Sequence, residues 1–205
     1  MRKFFISAVT AVTMSAVLLS GCAGSGNIVD AAKKYGMKEA QGDMTELAKA
    51  AVYPAEDVSI YYVSKDSKEL DYMRFAILGI GSDMEDPDSG AEQVVMCVKN
   101  TGESYEQYGS TEQIYQITAK DEESAKAIYE QKLHSMWETP VPREKNGYTY
   151  AIDYKGDELV TTVHGAYLKG NQVIWIYGFF HPDNGNCIKH FCKQLGLESP
   201  TVLKN

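Results

Sequence analysis

The stretch from Gln172 to Phe180 places the tightest constraint on how this chain folds. In an extended strand Ile174, Ile176 and Phe180 point one way and Trp175, Tyr177 and Phe179 the other, because successive side chains alternate across the backbone. Neither side suits water, so a strand here needs a cover on both. The connections narrow the choice further. Lys155-Gly156-Asp157 and Lys169-Gly170-Asn171 join neighbouring strand-like runs through too few residues for a parallel crossover, which takes about a dozen or more. The predicted fold class is therefore α+β, a mainly antiparallel sheet with helices on one face, and the aliphatic side of Gln172 to Phe180 is assigned to the helices.

Helix and strand signals alternate along the rest of the chain. Asn27 is placed to cap a helix whose apolar positions Ile28, Ala31, Ala32 and Tyr35 recur at helical spacing before Gly36 stops it. Ile188, Phe191, Cys192 and Leu195 repeat that spacing before Gly196, and Tyr35-Gly36-Met37 matches Leu195-Gly196-Leu197. A second pair of helices is expected from Asp43 through Leu47, Ala50 and Ala51 to Pro54, and from Asp121 through Ala125, Ile128, Tyr129, Leu133 and Met136 to Pro140. Three strand-like runs follow each: Val58 to Val63, Tyr72 to Ile80 and Gln93 to Lys99, then Tyr148 to Tyr154, Leu159 to Leu168 and Gln172 to Phe180. Two diverged copies of a helix plus a three-stranded meander, residues 27–100 and 113–199, would produce this order, with an extra strand at Gln113 to Ala119. The alternative is one α+β domain over 27–205 whose halves look alike because hairpins and amphipathic helices do. Thr101 to Ser110, with Gly102 and Gly109, is the one candidate linker inside the domain.

Ahead of the domain, Arg2 and Lys3 precede an apolar run from Phe4 to Leu19, too short and too interrupted for a spanning helix of about 20 residues. Leu19-Ser20-Gly21-Cys22 follows directly. This segment resembles the lipobox of bacterial lipoprotein precursors, and the domain behind it resembles, in outline, small lipoproteins of Gram-positive bacteria. The resemblance implies a signal peptide over 1–21, diacylation of Cys22 at the new N-terminus and a lipid-anchored chain on the extracytoplasmic side of the cell membrane. Two acyl chains anchor stably where one binds marginally, and Ala23 to Gly26 makes a tether of roughly 10 Å.

Loss of Arg2 and Lys3 with the signal takes the 20 basic residues to 18 against 28 acidic ones, a net charge of −10. Such a surface repels phosphate backbones, so no nucleic acid is expected as partner. With Cys22 acylated, Cys97, Cys187 and Cys192 are an odd number of thiols, and a disulfide scaffold is not expected in a chain able to bury its own core.

Candidate chemistry is sparse. His181, Cys187, His190 and Cys192 are types that ligate zinc, but Cys192 falls on the apolar stripe of its helix beside Ile188 and Leu195, which makes it a core residue. Cys187 in a first helical turn with His190 one turn on is the arrangement of a thiol nucleophile, without a third group to complete it. His164 within a strand and His134 late in a helix read as structural or exposed. Asp83, Glu85, Asp86 and Asp88 crowd one loop without the alternation of a calcium-binding loop and read as a solvated acidic turn. No nucleotide, phosphate or hydrolase motif is present, and no cofactor is expected.

The aromatic side of Gln172 to Phe180 is the remaining candidate. Tyr148, Tyr150 and Tyr154 also line up along one side of their strand, so Tyr148, Tyr150, Tyr154, Trp175, Tyr177 and Phe179 would make a platform suited to a glycan or an envelope protein, unless another layer covers them as core. The leading expectation is a non-catalytic lipoprotein module that binds a ligand or partner. An envelope hydrolase centred on Cys187 and His190, and a structural subunit of an envelope complex, are the competing readings. Mass spectrometry of the protein from its native membrane is expected to find Cys22 as a diacylated N-terminus; an unmodified Cys22 removes the address.

Overall fold

A computed structural model of the chain describes residues 27–40, 57–72, 90–101, 109–138 and 140–201. The expected helix from Asp43 to Pro54, the run 73–80, the acidic loop of Asp83 to Asp88 and the leader through Cys22 lie outside the described residues. In chain order the elements are α1 (Ile28–Tyr35), β1 (Lys38–Glu39), β2 (Val58–Ser64), α2 (Ser67–Tyr72), β3 (Ala91–Thr101), β4 (Ser110–Ala119), α3 (Glu122–His134), β5 (Arg143–Lys145), β6 (Tyr148–Gly156), β7 (Thr161–Lys169), β8 (Gln172–Phe180) and α4 (Asn186–Leu195).

The helix ends are those their capping residues dictate. The Asn27 side chain accepts the Val29 N–H at 2.9 Å, and the Asp121 side chain accepts the Ser124 N–H at 2.7 Å. Gly36 and Gly196 both take the left-handed conformation, φ 90° and 70°. In each case the next residue donates back across the last turn, Met37 to the Ala32 carbonyl at 3.0 Å and Leu197 to the Cys192 carbonyl at 2.9 Å. The matched tripeptides of the sequence are thus matched stops. Helix α2 had no sequence signal beyond Asp66, whose carboxylate accepts the Lys68 N–H at 2.9 Å.

The strands form a single sheet in the order β1-β2-β3-β4-β8-β7-β6-β5. Every neighbouring pair is antiparallel except β1 with β2. At its centre β4 and β8 pair from Thr111↔Phe179 to Thr118↔Gln172. The α+β class and the mainly antiparallel sheet are as expected, but the helices occupy both faces and not one. Helices α1 and α4 cover Cys97, Ile114, Val163, Ile174 and Ile176, while α3 lies on the opposite face against Val94, Met96, Ile117, Ala166, Val173 and Trp175. The cause is in β8 itself: a strand apolar on both sides calls for two covers, and a second helical layer supplies the one that the sequence left unassigned. Residues 102–108 of the expected linker, like the middle run of the first suspected copy, lie outside the described residues. β6, β7 and β8 are a continuous meander, β2 pairs directly with β3, and Thr101 faces Ser110 at the end of the β3–β4 ladder.

One buried charge ties α4 to the sheet. Gly185 precedes this helix without a side-chain cap, and Glu112 of β4, 4% exposed, reaches across to accept the Ile188 N–H at 2.8 Å. Burial pushes the Glu112 carboxyl up to about 7, against the opposing pull of its backbone hydrogen bonds to Ile188 and Cys187. A carboxyl raised above its ordinary value of 4.5 binds its proton more tightly in the folded chain. The resulting stability is therefore present in full below the ordinary value and lost as pH rises through the folded one. Wild-type protein is expected to lose stability between about pH 4.5 and 7 with a slope of up to about 1.4 kcal/mol per pH unit relative to Glu112→Gln, measured by urea unfolding of both across that range.

Candidate functional site

The pairing of the four central strands creates a polar row on the α3 face. Gln113 of β4 lies opposite Tyr177 of β8, Tyr177 opposite His164 of β7, and His164 opposite Asp153 of β6. The neighbouring row, Tyr115, Trp175, Ala166 and Ala151, is buried under α3. Helix α3 ends where the polar row begins, so Tyr177, Phe179 and Gln113 are only half-buried.

The chain leaving α3 folds down onto this row. The Trp137 N–H donates to Asp153 Oδ2 at 2.8 Å, which sets the indole edge-on to the His164 ring with centroids 4.7 Å apart. His164 also stacks on Trp175 at 5.4 Å and leans on Tyr177 at 5.5 Å. Its Nδ1 stands 3.6 Å from Asp153 Oδ2, an ion-pair separation too long for a hydrogen bond, and is buried without a hydrogen-bond partner. Lys132, from the last turn of α3, places Nζ 5.1 Å from the centre of the Trp175 ring, and Lys155 places its own 5.6 Å from that of Trp137.

Burial dominates the electrostatics. It lowers the Lys132 ammonium to about 7, so this lysine exchanges its proton near neutrality. It also lowers His164; Asp153 works against that shift and the Lys132 charge adds to it. A near-neutral lysine, a histidine with an unsatisfied nitrogen and a carboxylate thus share one aromatic enclosure, with Trp137, 50% exposed, at its outer wall. Rings with adjacent donors and acceptors can stack on and hydrogen-bond a hydroxyl-rich ligand.

The six aromatic residues expected to form one platform are divided by the sheet. Trp175, Tyr177 and Phe179 are on the α3 face, but β6, β7 and β8 pair Tyr150 with Tyr167 and Tyr167 with Ile174, which sends Tyr148, Tyr150 and Tyr154 to the α1–α4 face. There Tyr150 stacks on Tyr167 at 6.0 Å, and Tyr148 lies under the Lys169 ammonium at 4.9 Å. Within the α3 group, Trp175 is 7% exposed and belongs to the core. Trp137, His164, Asp153, Gln113 and Lys132 are the members that sequence reasoning did not assign to a site.

The thiols are placed for packing. Cys187 is fully buried and burial raises it well above the ordinary thiol range, the reverse of a nucleophile's needs. His190 engages the Ala31 carbonyl through Nε2 at 3.0 Å. Cys192 is 2% exposed and pushed up to about 12, also by burial, and His181 sits by Asp183 at 3.6 Å. Among the described residues, no three His, Cys, Asp or Glu side chains are grouped to hold a metal.

No family model matches the chain, and no curated protein matches it. Among solved structures, the extracellular domain of PknH from Mycobacterium tuberculosis is similar at 14% identity and a TM-score of 0.32, over 69% of this chain and 79% of that one. Trp175→Ala is expected to destabilise the protein by about 3–5 kcal/mol, as a large core aromatic does on truncation, measured by chemical denaturation.

Proposed function

We propose that this chain is a non-catalytic, extracytoplasmic binding module held to the membrane by lipid on Cys22, with a glycan as its ligand, seated against Trp137, His164, Tyr177 and Phe179. What supports the reading most is the join between a half-buried aromatic strip and the polar row Gln113, Tyr177, His164 and Asp153. Ring faces take the apolar faces of a sugar, and the flanking amide, imidazole and carboxylate match its hydroxyls. The anchor rests on Leu19-Ser20-Gly21-Cys22. Against the hydrolase reading stands the burial of Cys187, whose thiol is held in its protonated form. Nothing in this proposal uses the Tyr148, Tyr150 and Tyr154 side of the sheet.

The test is a binding screen of the full chain against envelope polysaccharides, with Tyr177→Ala and Tyr154→Phe compared by calorimetry on whichever polysaccharide binds. Tyr177→Ala is expected to weaken binding at least tenfold with little change in thermal unfolding, and Tyr154→Phe to leave it unchanged. Binding that survives Tyr177→Ala removes the strip as the site, and capture of an envelope protein with no polysaccharide bound replaces the glycan with a protein partner.

A further inference from the structure

Strand β6 has a hydrogen-bonding edge that its own sheet leaves half open. β5 pairs only with Tyr148 to Tyr150, whereas β6 continues to Gly156 and keeps its ladder with β7 as far as Gly156↔Thr161. Among the described residues no strand lies against the outer side of Ala151 to Gly156. An edge of this kind offers N–H and C=O groups to any strand that fits, and proteins guard such edges with prolines, charges or cover. Here the guard is incomplete: a cavity of about 220 Å³ is lined by Pro140, Val141 and Arg143 together with Tyr150, Ala151 and Ile152.

The exposed large apolar side chains of the described residues gather at the same place. They are Trp137, Val141 and Leu159, at 50%, 82% and 52% exposure. Val141 lines the cavity, Leu159 is in the β6–β7 turn, and Trp137 is bonded through its N–H to Asp153 of β6.

We propose that a second copy of this chain occupies the open edge, β6 pairing antiparallel with β6 about a two-fold axis through Tyr154. An isologous contact requires the strand to complement itself, and the side chains select one register. With the axis at Tyr154, Asp153 of each copy lies opposite Lys155 of the other on the α3 face, and Ile152 lies opposite Gly156 on the α1–α4 face. An axis at Asp153 or at Lys155 sets like charges face to face. The selected register pairs Ile152 to Gly156 and stops one residue short of the stretch that β5 already holds, so only Ala151 is left without a pair on the outer edge of β6. It also carries the Leu159 turn of each copy toward the Val141 cavity of the other. This contact uses neither Tyr177 and Phe179 nor the lipid anchor; Asp153 is common to it and to the polar row.

The test is disulfide trapping of the full chain carrying Tyr154→Cys. Directly opposed residues of an antiparallel pair have Cα atoms about 4.5–5.5 Å apart, within disulfide reach. Mild oxidation is expected to give a covalent homodimer absent from wild type and from Lys126→Cys, an α3 position 68% exposed. Adding Lys155→Asp, which faces Asp153 with a like charge, is expected to cut the dimer yield at least tenfold. No dimer from Tyr154→Cys, equal dimer from Lys126→Cys, or a cross-link to a different protein overturns the proposal. Sedimentation of the unmodified chain is the check that needs no new cysteine: a dimer in wild type that Lys155→Asp converts to monomer supports the pairing, and a wild-type monomer at tens of micromolar overturns it.

Discussion

The ladder between β4 and β8 is the contact on which the rest of the architecture hangs. Its two strands lie on either side of α3 and the β5–β7 strands in the chain, yet they meet at the middle of the sheet, Ile114 against Ile176 and Tyr115 against Trp175. Closing that distance costs chain entropy before any contact compensates for it, so the register must be unambiguous. It is made so by burial on both sides. A slip of one residue would exchange the aliphatic set under α4 for the aromatic set under α3. The same ladder brings Glu112 to the start of α4 and its neighbour Gln113 to the polar row, so the helix anchor and the candidate site are consecutive residues on opposite faces.

Much of this was legible in the sequence, and the failures have physical reasons. The caps at Asn27, Asp121, Gly36 and Gly196 are local chemistry and were read correctly. So was the double-sided character of Gln172 to Phe180. What a helical stripe does not say is which side of a sheet it will meet, and the placement of all helices on one face failed for that reason. The site shows the same divide at finer grain. The Gly170 turn fixes Lys169 opposite Gln172, and counting back along both strands puts His164 opposite Tyr177. The turn before it was read at Gly156, but the strands close at Gly156↔Thr161, where the Asp157 carboxylate accepts the N–H groups of Leu159 and Val160. An error of that size in one loop hides the pairing of Asp153 with His164 and groups Tyr150 with Trp175, although they lie on opposite faces.

The α3 face departs from what stability alone favours. A lysine 2% exposed and a histidine 7% exposed, one of whose nitrogens lacks a partner, are costly occupants of a hydrophobic layer, and aliphatic residues of similar volume would pack there without that cost. Of the buried acidic and basic side chains among the described residues, only Glu112 is on the opposite face, where it accepts the Ile188 N–H. The asymmetry separates a face whose one buried carboxyl caps a helix from one where a lysine, a histidine and an aspartate share an aromatic layer.

The enclosure around His164 has a spectroscopic consequence. The chain contains two tryptophans, and both lie against that imidazole, at 4.7 and 5.4 Å. Its intrinsic indole emission therefore originates at one place, beside a ring that quenches when it gains a proton. The signal reports on the end of α3, the polar row and, through Trp175, the central β4–β8 ladder. An emission change on heating or in denaturant thus combines the release of Trp137 with the opening of the central ladder at Trp175, and a backbone signal read alongside separates the two.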